Sequence, residues 1–216
     1  MEKVKNVLKP YYHLLIRLSK LRKRIGLKCK DFSIISNSCA AGFVYQYFGI
    51  KYLTPTAGIG IHPDDYLKLM QNPSSYFTEK LCFIEPNTTE RWALGEHFSY
   101  PVAKIGNGDE SITVYFRHYK TKQEAQHVWE NRCKRINYSK LFFLCTENEY
   151  FNIEHIKKFC EILDNTGASG ICLTRREYSL PHTQFVSYVG IENGKVMWYP
   201  NVVIEPINWK KTLNKL

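Results

Sequence analysis

The stretch Phe32-Ser33-Ile34-Ile35-Ser36-Asn37-Ser38-Cys39-Ala40-Ala41-Gly42 carries a short apolar run straight into a turn of small residues. The apolar run has the β-branched character of a buried strand, and a helical pattern continues from the turn to Phe48. Gly49 then supplies the residue type that most often ends a helix. Because a strand that leads directly into a helix is the repeating unit of α/β proteins, this stretch predicts an α/β fold.

The same alternation of strand and helix continues to Thr174. Further strands are predicted at residues 102–105, 112–116, 141–145 and 171–174, and further helices near His62, Thr121 and Ile153. This alternation predicts a mainly parallel sheet flanked by helices, in a Rossmann-like three-layer arrangement. Nearer the C-terminus, Asn193-Gly194 lies between apolar runs, which predicts an antiparallel hairpin.

The positive charge is concentrated at one end of the chain. The 216 residues have a formal net charge of +10, yet residues 1–30 hold ten Lys or Arg and a single acid. The sequence therefore predicts a basic arm over residues 1–30 and a single α/β domain of nearly zero net charge over residues 31–216. A domain that binds nucleic acid carries its basic residues across a folded face, so no nucleic acid is expected as a partner.

The basic arm has an amphipathic helical pattern. Its large apolar residues fall on one face of a helix, with most of its cations opposite: Tyr11, Leu14, Leu15, Leu18, Leu21 and Ile25. Pro10 suits the first turn of that helix, and Gly26 suits its end. Such a helix can lie in the interface of an anionic membrane. The alternative is a helix packed on its own domain with its charges in solvent.

Cysteine usage and motif content limit the chemistry. The seven cysteines are scattered, odd in number and without a C-x-x-C pair, which indicates reduced thiols. No run approaches about 18 apolar residues, so no membrane-spanning helix is expected. We expect a cytoplasmic protein that is peripheral at the inner membrane if the arm binds lipid. Known nucleotide, hydrolase and zinc-protease motifs are absent, so no metal and no cofactor are predicted.

Two segments place polar residues at predicted strand ends, where ligands bind in open α/β sheets. The first is Ser36-Asn37-Ser38-Cys39, whose backbone N–H groups can hold an anion while the helix dipole lowers the pKa of the Cys39 thiol. The alternative is that Ser36 or Asn37 only caps the helix and Cys39 is a packing residue.

The second segment is His118-Tyr119, followed by a predicted helix to about Arg135. Arg132 falls in the middle of the apolar face of that helix, and Arg135 flanks it. An arginine that points inward keeps its charge and needs a carboxylate or a bound anion. The segment therefore predicts either an internal salt bridge or a clamp for phosphate or a sugar acid beside His118.

Several motifs, in one order, resemble a bacterial family of exopolysaccharide-biosynthesis proteins that carry a domain of unknown function. They are residues 35–42 with Tyr45 and Gly49, Tyr52-x-Thr54-Pro55-Thr56, Pro63-x-Asp65-Tyr66, Tyr100-Pro101-Val102, and His118-Tyr119 with Trp129-x-x-Arg132-x-x-Arg135-Ile136-Asn137. The resemblance covers most of the domain and implies a component of capsule, exopolysaccharide or lipopolysaccharide gene clusters. It also implies that the two polar segments meet in one pocket.

The combined expectation is a transferase that acts on a nucleotide-sugar or a lipid-linked glycan at the cytoplasmic membrane surface. His118 and Cys39 are the candidate catalytic residues, as general acid–base and nucleophile. The candidate binding residues for the sugar or glycan phosphate are Ser36, Asn37, Tyr119, Arg132 and Arg135. The alternative function is a non-catalytic binding or assembly factor for polysaccharide-synthesis enzymes.

Overall fold

A computed structural model describes residues 2–186, 191–192, 195–196 and 207–216. The helices in these ranges are α1 (Glu2–Arg24), α2 (Ala40–Phe48), α3 (Pro63–Gln71), α4 (Pro73–Thr78), α5 (Glu90–Ala93), α6 (Lys122–Cys133), α7 (Ile153–Thr166) and α8 (Trp209–Leu213). The strands are β1 (Ser33–Ser36), β2 (Gly60–Ile61), β3 (Cys82–Ile84), β4 (Val102–Ile105), β5 (Ile112–Tyr115), β6 (Leu141–Thr146), β7 (Ser169–Thr174), β8 (Thr183–Phe185), β9 (Ile191–Glu192) and β10 (Lys195–Val196).

The first sheet is parallel, with the strand order β1-β6-β7-β8. Alternate residues of a strand face opposite sides of a sheet, so the neighbours Ile34 and Ile35 belong to two different buried apolar clusters. Helices α2 and α8 contribute to the Ile34 cluster, whereas α3 and α7 contribute to the Ile35 cluster. A parallel sheet flanked by helices, as predicted, is confirmed for this part of the chain.

The second sheet is antiparallel, with the order β2-β5-β4-β3. The prediction that residues 102–105 and 112–116 extend a single, mainly parallel sheet is therefore wrong. Only residues 106–111 connect β4 to β5, whereas parallel neighbours need a crossover of about a dozen residues or more. The described residues have a mixed α/β fold in which the parallel sheet and this antiparallel sheet are separate, and the Rossmann-like arrangement is not confirmed.

Two hydrogen bonds hold β2 and α3 close to the end of β1. The Ile61 amide of β2 donates to the Asn37 carbonyl at 3.0 Å. The buried Tyr66 hydroxyl of α3 donates to the Ile35 carbonyl, also at 3.0 Å. The edge of the antiparallel sheet is thereby fixed beside the turn that follows β1.

Helix α1 begins at Glu2 rather than at Pro10, so the predicted helix start is wrong. Residues 2–9 contain Glu, Leu and three Lys, which favour a helix strongly enough to extend it upstream of the proline. The helix ends at Arg24, and Gly26 follows with a φ of 82°, as predicted. Within the described ranges, no helix is long and apolar enough to cross a membrane.

The C-terminal hairpin is described only in part. Strands β9 and β10 pair antiparallel, with Glu192 opposite Lys195 and Ile191 opposite Val196. This pairing confirms the antiparallel strands that flank the predicted turn. The turn itself, Asn193-Gly194, lies outside the described residues.

Candidate functional site

The two predicted catalytic side chains meet, although they come from different sheets. Cys39 occupies the N-cap position of α2, directly after the turn that follows β1. His118 lies three residues beyond the end of β5. The Cys39 Sγ and His118 Nε2 atoms are 3.1 Å apart, so the thiol can donate a hydrogen bond to the imidazole. His118 is exposed and Cys39 is half-buried, so the pair is open to solvent on the histidine side.

The loop that precedes β2 fixes this geometry. The His118 amide donates to the Gly58 carbonyl at 3.3 Å, and the Cys39 Sγ lies 3.7 Å from the Ile59 carbonyl oxygen. Gly58 has a φ of 87°, a conformation that favours glycine. A Cβ atom at position 58 would also lie 3.5 Å from the His118 Cβ and from the Tyr119 ring. These distances are ordinary van der Waals contacts, so it is the positive φ, rather than the spacing, that favours glycine in this loop.

The Cys39 thiol is neutral at rest. Burial raises the pKa of Cys39 above its ordinary value, and the charge of Arg117 lowers it only in part. The expectation that the helix dipole lowers this pKa is therefore wrong, because the loss of solvent around the sulfur is the larger effect. A neutral thiol beside an imidazole becomes a nucleophile when the imidazole accepts its proton. Hydroxyl nucleophiles are activated by an adjacent base in the same way.

Arg132 points inward, as predicted, but onto neutral groups. Its Nη1 atom donates to the Ala57 carbonyl at 2.6 Å and to the Tyr119 hydroxyl at 2.8 Å. The guanidinium carbon lies 4.8 Å from the centre of the Tyr52 ring. No carboxylate in the described part of the chain forms an ion pair with Arg132, and its Nε and Nη2 atoms make no hydrogen bond there. Its charge and most of its donors therefore remain available to an anion.

The Tyr119 hydroxyl orients Arg132. It accepts the hydrogen bond from Arg132 and donates to the Ala57 carbonyl at 3.2 Å, which closes a small triangle of contacts. Burial raises the pKa of Tyr119, so the hydroxyl keeps its proton. Ala57 contacts Arg132 while Ile59 contacts Cys39. The guanidinium and the thiol therefore contact the same short loop, at positions two residues apart.

Ser36 and Asn37 hold the turn below Cys39. The side-chain Nδ2 of Asn37 donates to the Thr146 carbonyl, and the side-chain Oδ1 accepts from the Thr146 backbone amide, both at 3.0 Å. Both Ser36 and Asn37 are buried, and the Ser36 hydroxyl accepts from the Ser38 amide at 3.2 Å. Their polar atoms are thus used to join the ends of β1 and β6 and to shape the turn.

Arg135 is not brought into these contacts. It lies just beyond the end of α6, where its backbone amide donates to the Arg132 carbonyl at 3.0 Å. Over the described ranges, its guanidinium makes no hydrogen bond or ion pair. Trp129, on the same helix, is buried against Phe77 and Phe116.

Two contributors to the site were missed by the sequence reasoning. Arg117 is exposed, and its charge lowers the pKa of Cys39. In the sequence, the signal for this role of Arg117 was the position of a cation directly before the predicted base, His118. Tyr52 was noted only within the motif Tyr52-x-Thr54-Pro55-Thr56, and its position under Arg132 follows from the fold rather than from any local pattern.

Comparisons with known proteins give a family but no activity. The model of DUF1919, a domain of unknown function, matches residues 12–213, a range that includes every candidate site residue. An uncharacterised protein of Haemophilus influenzae is 26% identical over 161 residues, which cover 74% of this chain and 70% of that protein. Neither description mentions polysaccharide synthesis, so that part of the expectation stays a prediction.

Proposed function

We propose that this chain, which belongs to the DUF1919 family of domains of unknown function, is a transferase with Cys39 as nucleophile and His118 as general acid–base. The observation that carries the proposal is the 3.1 Å contact between Cys39 Sγ and His118 Nε2, beside a loop that also contacts the uncompensated charge of Arg132. A nucleophile within hydrogen-bond reach of a base is the arrangement that covalent catalysis requires.

The donor in this proposal is a sugar carried on a phosphate, as in a nucleotide-sugar or a lipid-linked glycan. His118 Nε2 accepts the thiol proton while the sulfur forms a bond to the sugar carbon, and the bond from that carbon to the phosphate oxygen breaks. The oxygen leaves with the bonding electron pair and takes the proton from His118.

The second step returns the enzyme to its starting state. Neutral His118 accepts the proton of an acceptor hydroxyl, whose oxygen attacks the same carbon. The carbon–sulfur bond breaks, and the departing Cys39 sulfur regains a proton from His118. The net result is transfer of the sugar from phosphate to hydroxyl, with no oxidant or reductant.

The remaining residues have supporting roles in the proposal. Arg132 binds the phosphate, because a guanidinium with free donors matches phosphate oxygens in geometry and charge. Tyr119 orients Arg132, while Ser36 and Asn37 hold the turn that presents Cys39. Arg135 is proposed as a second phosphate contact on sequence grounds alone.

A role in exopolysaccharide, capsule or lipopolysaccharide synthesis is proposed from the motif resemblance. The alternative of a non-catalytic assembly factor predicts a sealed Cys39–His118 region. The exposure of His118 favours the enzyme over that alternative.

The test is to incubate the protein with a panel of nucleotide-sugars and polyprenyl-phosphate sugars and to measure its intact mass. A covalent sugar adduct is expected on Cys39 and absent in Cys39→Ser. The exposed Cys82 provides the control, since Cys82→Ser should leave the adduct unchanged. An adduct on Cys82 instead, or no adduct and no phosphate binding with any donor, would contradict the proposal.

A further inference from the structure

The apolar face of the arm is exposed from Tyr11 to Ile25. The six large apolar residues of that face are each between 47% and 72% exposed: Tyr11, Leu14, Leu15, Leu18, Leu21 and Ile25. A helix on the surface of a globular protein normally turns its apolar face to the core. A contiguous apolar surface of this size marks an interaction site.

The opposite face of α1 is the one that contacts the domain. Arg24 donates from Nε to the Phe48 carbonyl at 2.7 Å and from Nη2 to the Gly49 carbonyl at 2.9 Å. These carbonyls belong to the C-terminal end of α2, where a cation is stabilised by the helix dipole. The Lys23 ammonium lies 3.9 Å from the centre of the Tyr47 ring.

The helix also approaches α2 closely. Gly49 has a φ of 62°, and a Cβ atom there would lie 2.8 Å from the Lys20 side chain. The cations of residues 14–30 are therefore divided into two groups. Lys20, Lys23 and Arg24 dock the helix, which holds the leucines away from the domain.

The second group of cations remains in solvent. Arg17 and Arg22 are exposed beside the apolar face, and Lys28 and Lys30 are exposed just after the helix. Residues 3–30 contain no acid. Over residues 14–30, the exposed side of the arm therefore combines apolar side chains with cations and contains no acid.

We infer that the apolar face of α1 inserts into the interface of an anionic lipid bilayer, with Arg17 and Arg22 in contact with lipid phosphates. The acyl chains accept the leucines, and the long arginine side chains reach the headgroups. A second copy of this chain fits less well, because it would bring the same cations together without an acid to pair with them. A nucleic acid would leave the six apolar side chains in water. The inference does not depend on the chemistry of Cys39.

The test uses the full chain and vesicles of two compositions, phosphatidylglycerol with phosphatidylcholine and phosphatidylcholine alone, in a co-sedimentation assay. The protein is expected to bind the anionic vesicles and to bind the neutral ones far more weakly. Arg17→Gln and Arg22→Gln should each lower the partition coefficient about fivefold at low salt. Leu14→Glu combined with Leu18→Glu should abolish binding.

Two controls separate lipid insertion from folding. Leu94 is 59% exposed and lies outside α1, so Leu94→Glu should leave vesicle binding unchanged. Because the α1 leucines are exposed, the double variant should keep the circular dichroism spectrum and thermal midpoint of the native chain. In Leu18→Trp, the tryptophan emission should shift to shorter wavelength when anionic vesicles are added.

Three results would overturn the inference. The first is vesicle binding that the Leu14→Glu, Leu18→Glu variant retains. The second is a dimer in sedimentation experiments that this variant dissociates, with no vesicle binding by the native chain. The third is binding to an RNA oligonucleotide but not to anionic vesicles.

Discussion

The Arg132 guanidinium donates a 2.8 Å hydrogen bond to the Tyr119 hydroxyl, and no carboxylate in the described ranges pairs with it. A buried or half-buried arginine is usually matched by an acid or by a bound anion. The Tyr119 hydroxyl fixes the position of the guanidinium without neutralising it. This relationship makes Arg132 the residue through which the site is expected to recognise a phosphate.

Substitution of Arg132 should weaken phosphate binding in a graded way. Arg132→Ala removes both charge and donors, and Arg132→Lys keeps the charge but loses the planar donor geometry. Tyr119→Phe removes the hydroxyl that orients the guanidinium but leaves the charge and donors of Arg132 in place, so binding should weaken by less than in Arg132→Ala. Titration calorimetry with a nucleoside diphosphate measures the series. Lys134→Ala, an exposed cation of the same region, is the control, and an equal loss in that variant would argue for a general charge effect.

Gly→Ala substitutions at Gly58 and Gly95 form a matched test of whether the loop at Gly58 sets the geometry of Cys39 and His118. Both have a positive φ, of 87° and 90°, but a Cβ would meet His118 and Tyr119 only at Gly58. Each Gly→Ala change should cost about 1 to 2 kcal/mol of unfolding free energy from backbone strain. Only Gly58→Ala should also change the alkylation rate of Cys39. Unchanged Cys39 reactivity in Gly58→Ala would show that the loop does not set the geometry of the pair.

Asn37→Ala should destabilise the domain by about 2 kcal/mol or more. The substitution leaves the buried amide and carbonyl of Thr146 without partners, and each such group costs about 1 to 3 kcal/mol. Asn72 is a useful comparison, because its side chain caps α4 in an exposed position, and loss of such a cap costs about 1 kcal/mol. Urea denaturation measures both variants. A smaller loss for Asn37→Ala than for Asn72→Ala would contradict the structural role given to Asn37.

The Arg91–Glu96 pair should make folding sensitive to acid. Burial raises the pKa of Glu96, but hydrogen bonds from Arg91 and Tyr150 outweigh it and hold this pKa below its ordinary value. A carboxyl with a depressed pKa in the folded state contributes stability above its unfolded pKa and loses it as the pH falls through the folded pKa. Glu96→Gln should therefore be less stable at neutral pH and lose less stability on acidification.

Thermal unfolding measured from neutral pH to pH 3 tests this expectation. Glu85 pairs with Lys122 on the surface, where both side chains are largely exposed, so Glu85→Gln should behave like the native chain. An acid response that is the same in Glu96→Gln and in the native chain would exclude Glu96 as its source.

Part of the site could be predicted from sequence because it depends on local patterns. Predicted strand ends that precede helices indicated Cys39 and His118 as candidate site residues. The helical spacing around Trp129 predicted that Arg132 points inward. The partners of Arg132 could not be predicted, because the Ala57 carbonyl is 75 residues away and is supplied by a loop with no pattern of its own.

The fold, like the site, could be predicted only in part from the sequence. The parallel sheet follows from apolar runs such as Leu141–Thr146, whose bounds were predicted to within a residue. The antiparallel sheet was missed because the pattern of β5 resembles that of a parallel strand. The short connection at residues 106–111 held the information that decides between the two pairings.

The alkylation rate of Cys39 as a function of pH tests the central claim most directly. In Cys82→Ser protein at pH 7, His118→Ala should slow alkylation of Cys39 by about a hundredfold, because the neutral thiol loses its base. The two rates should converge only at alkaline pH, where the thiolate of Cys39 forms directly, since burial raises the pKa of this thiol. His127→Ala, an exposed histidine of α6, should have no effect. Equal rates at pH 7 with and without His118 would contradict the assignment of Cys39 and His118 as a catalytic pair.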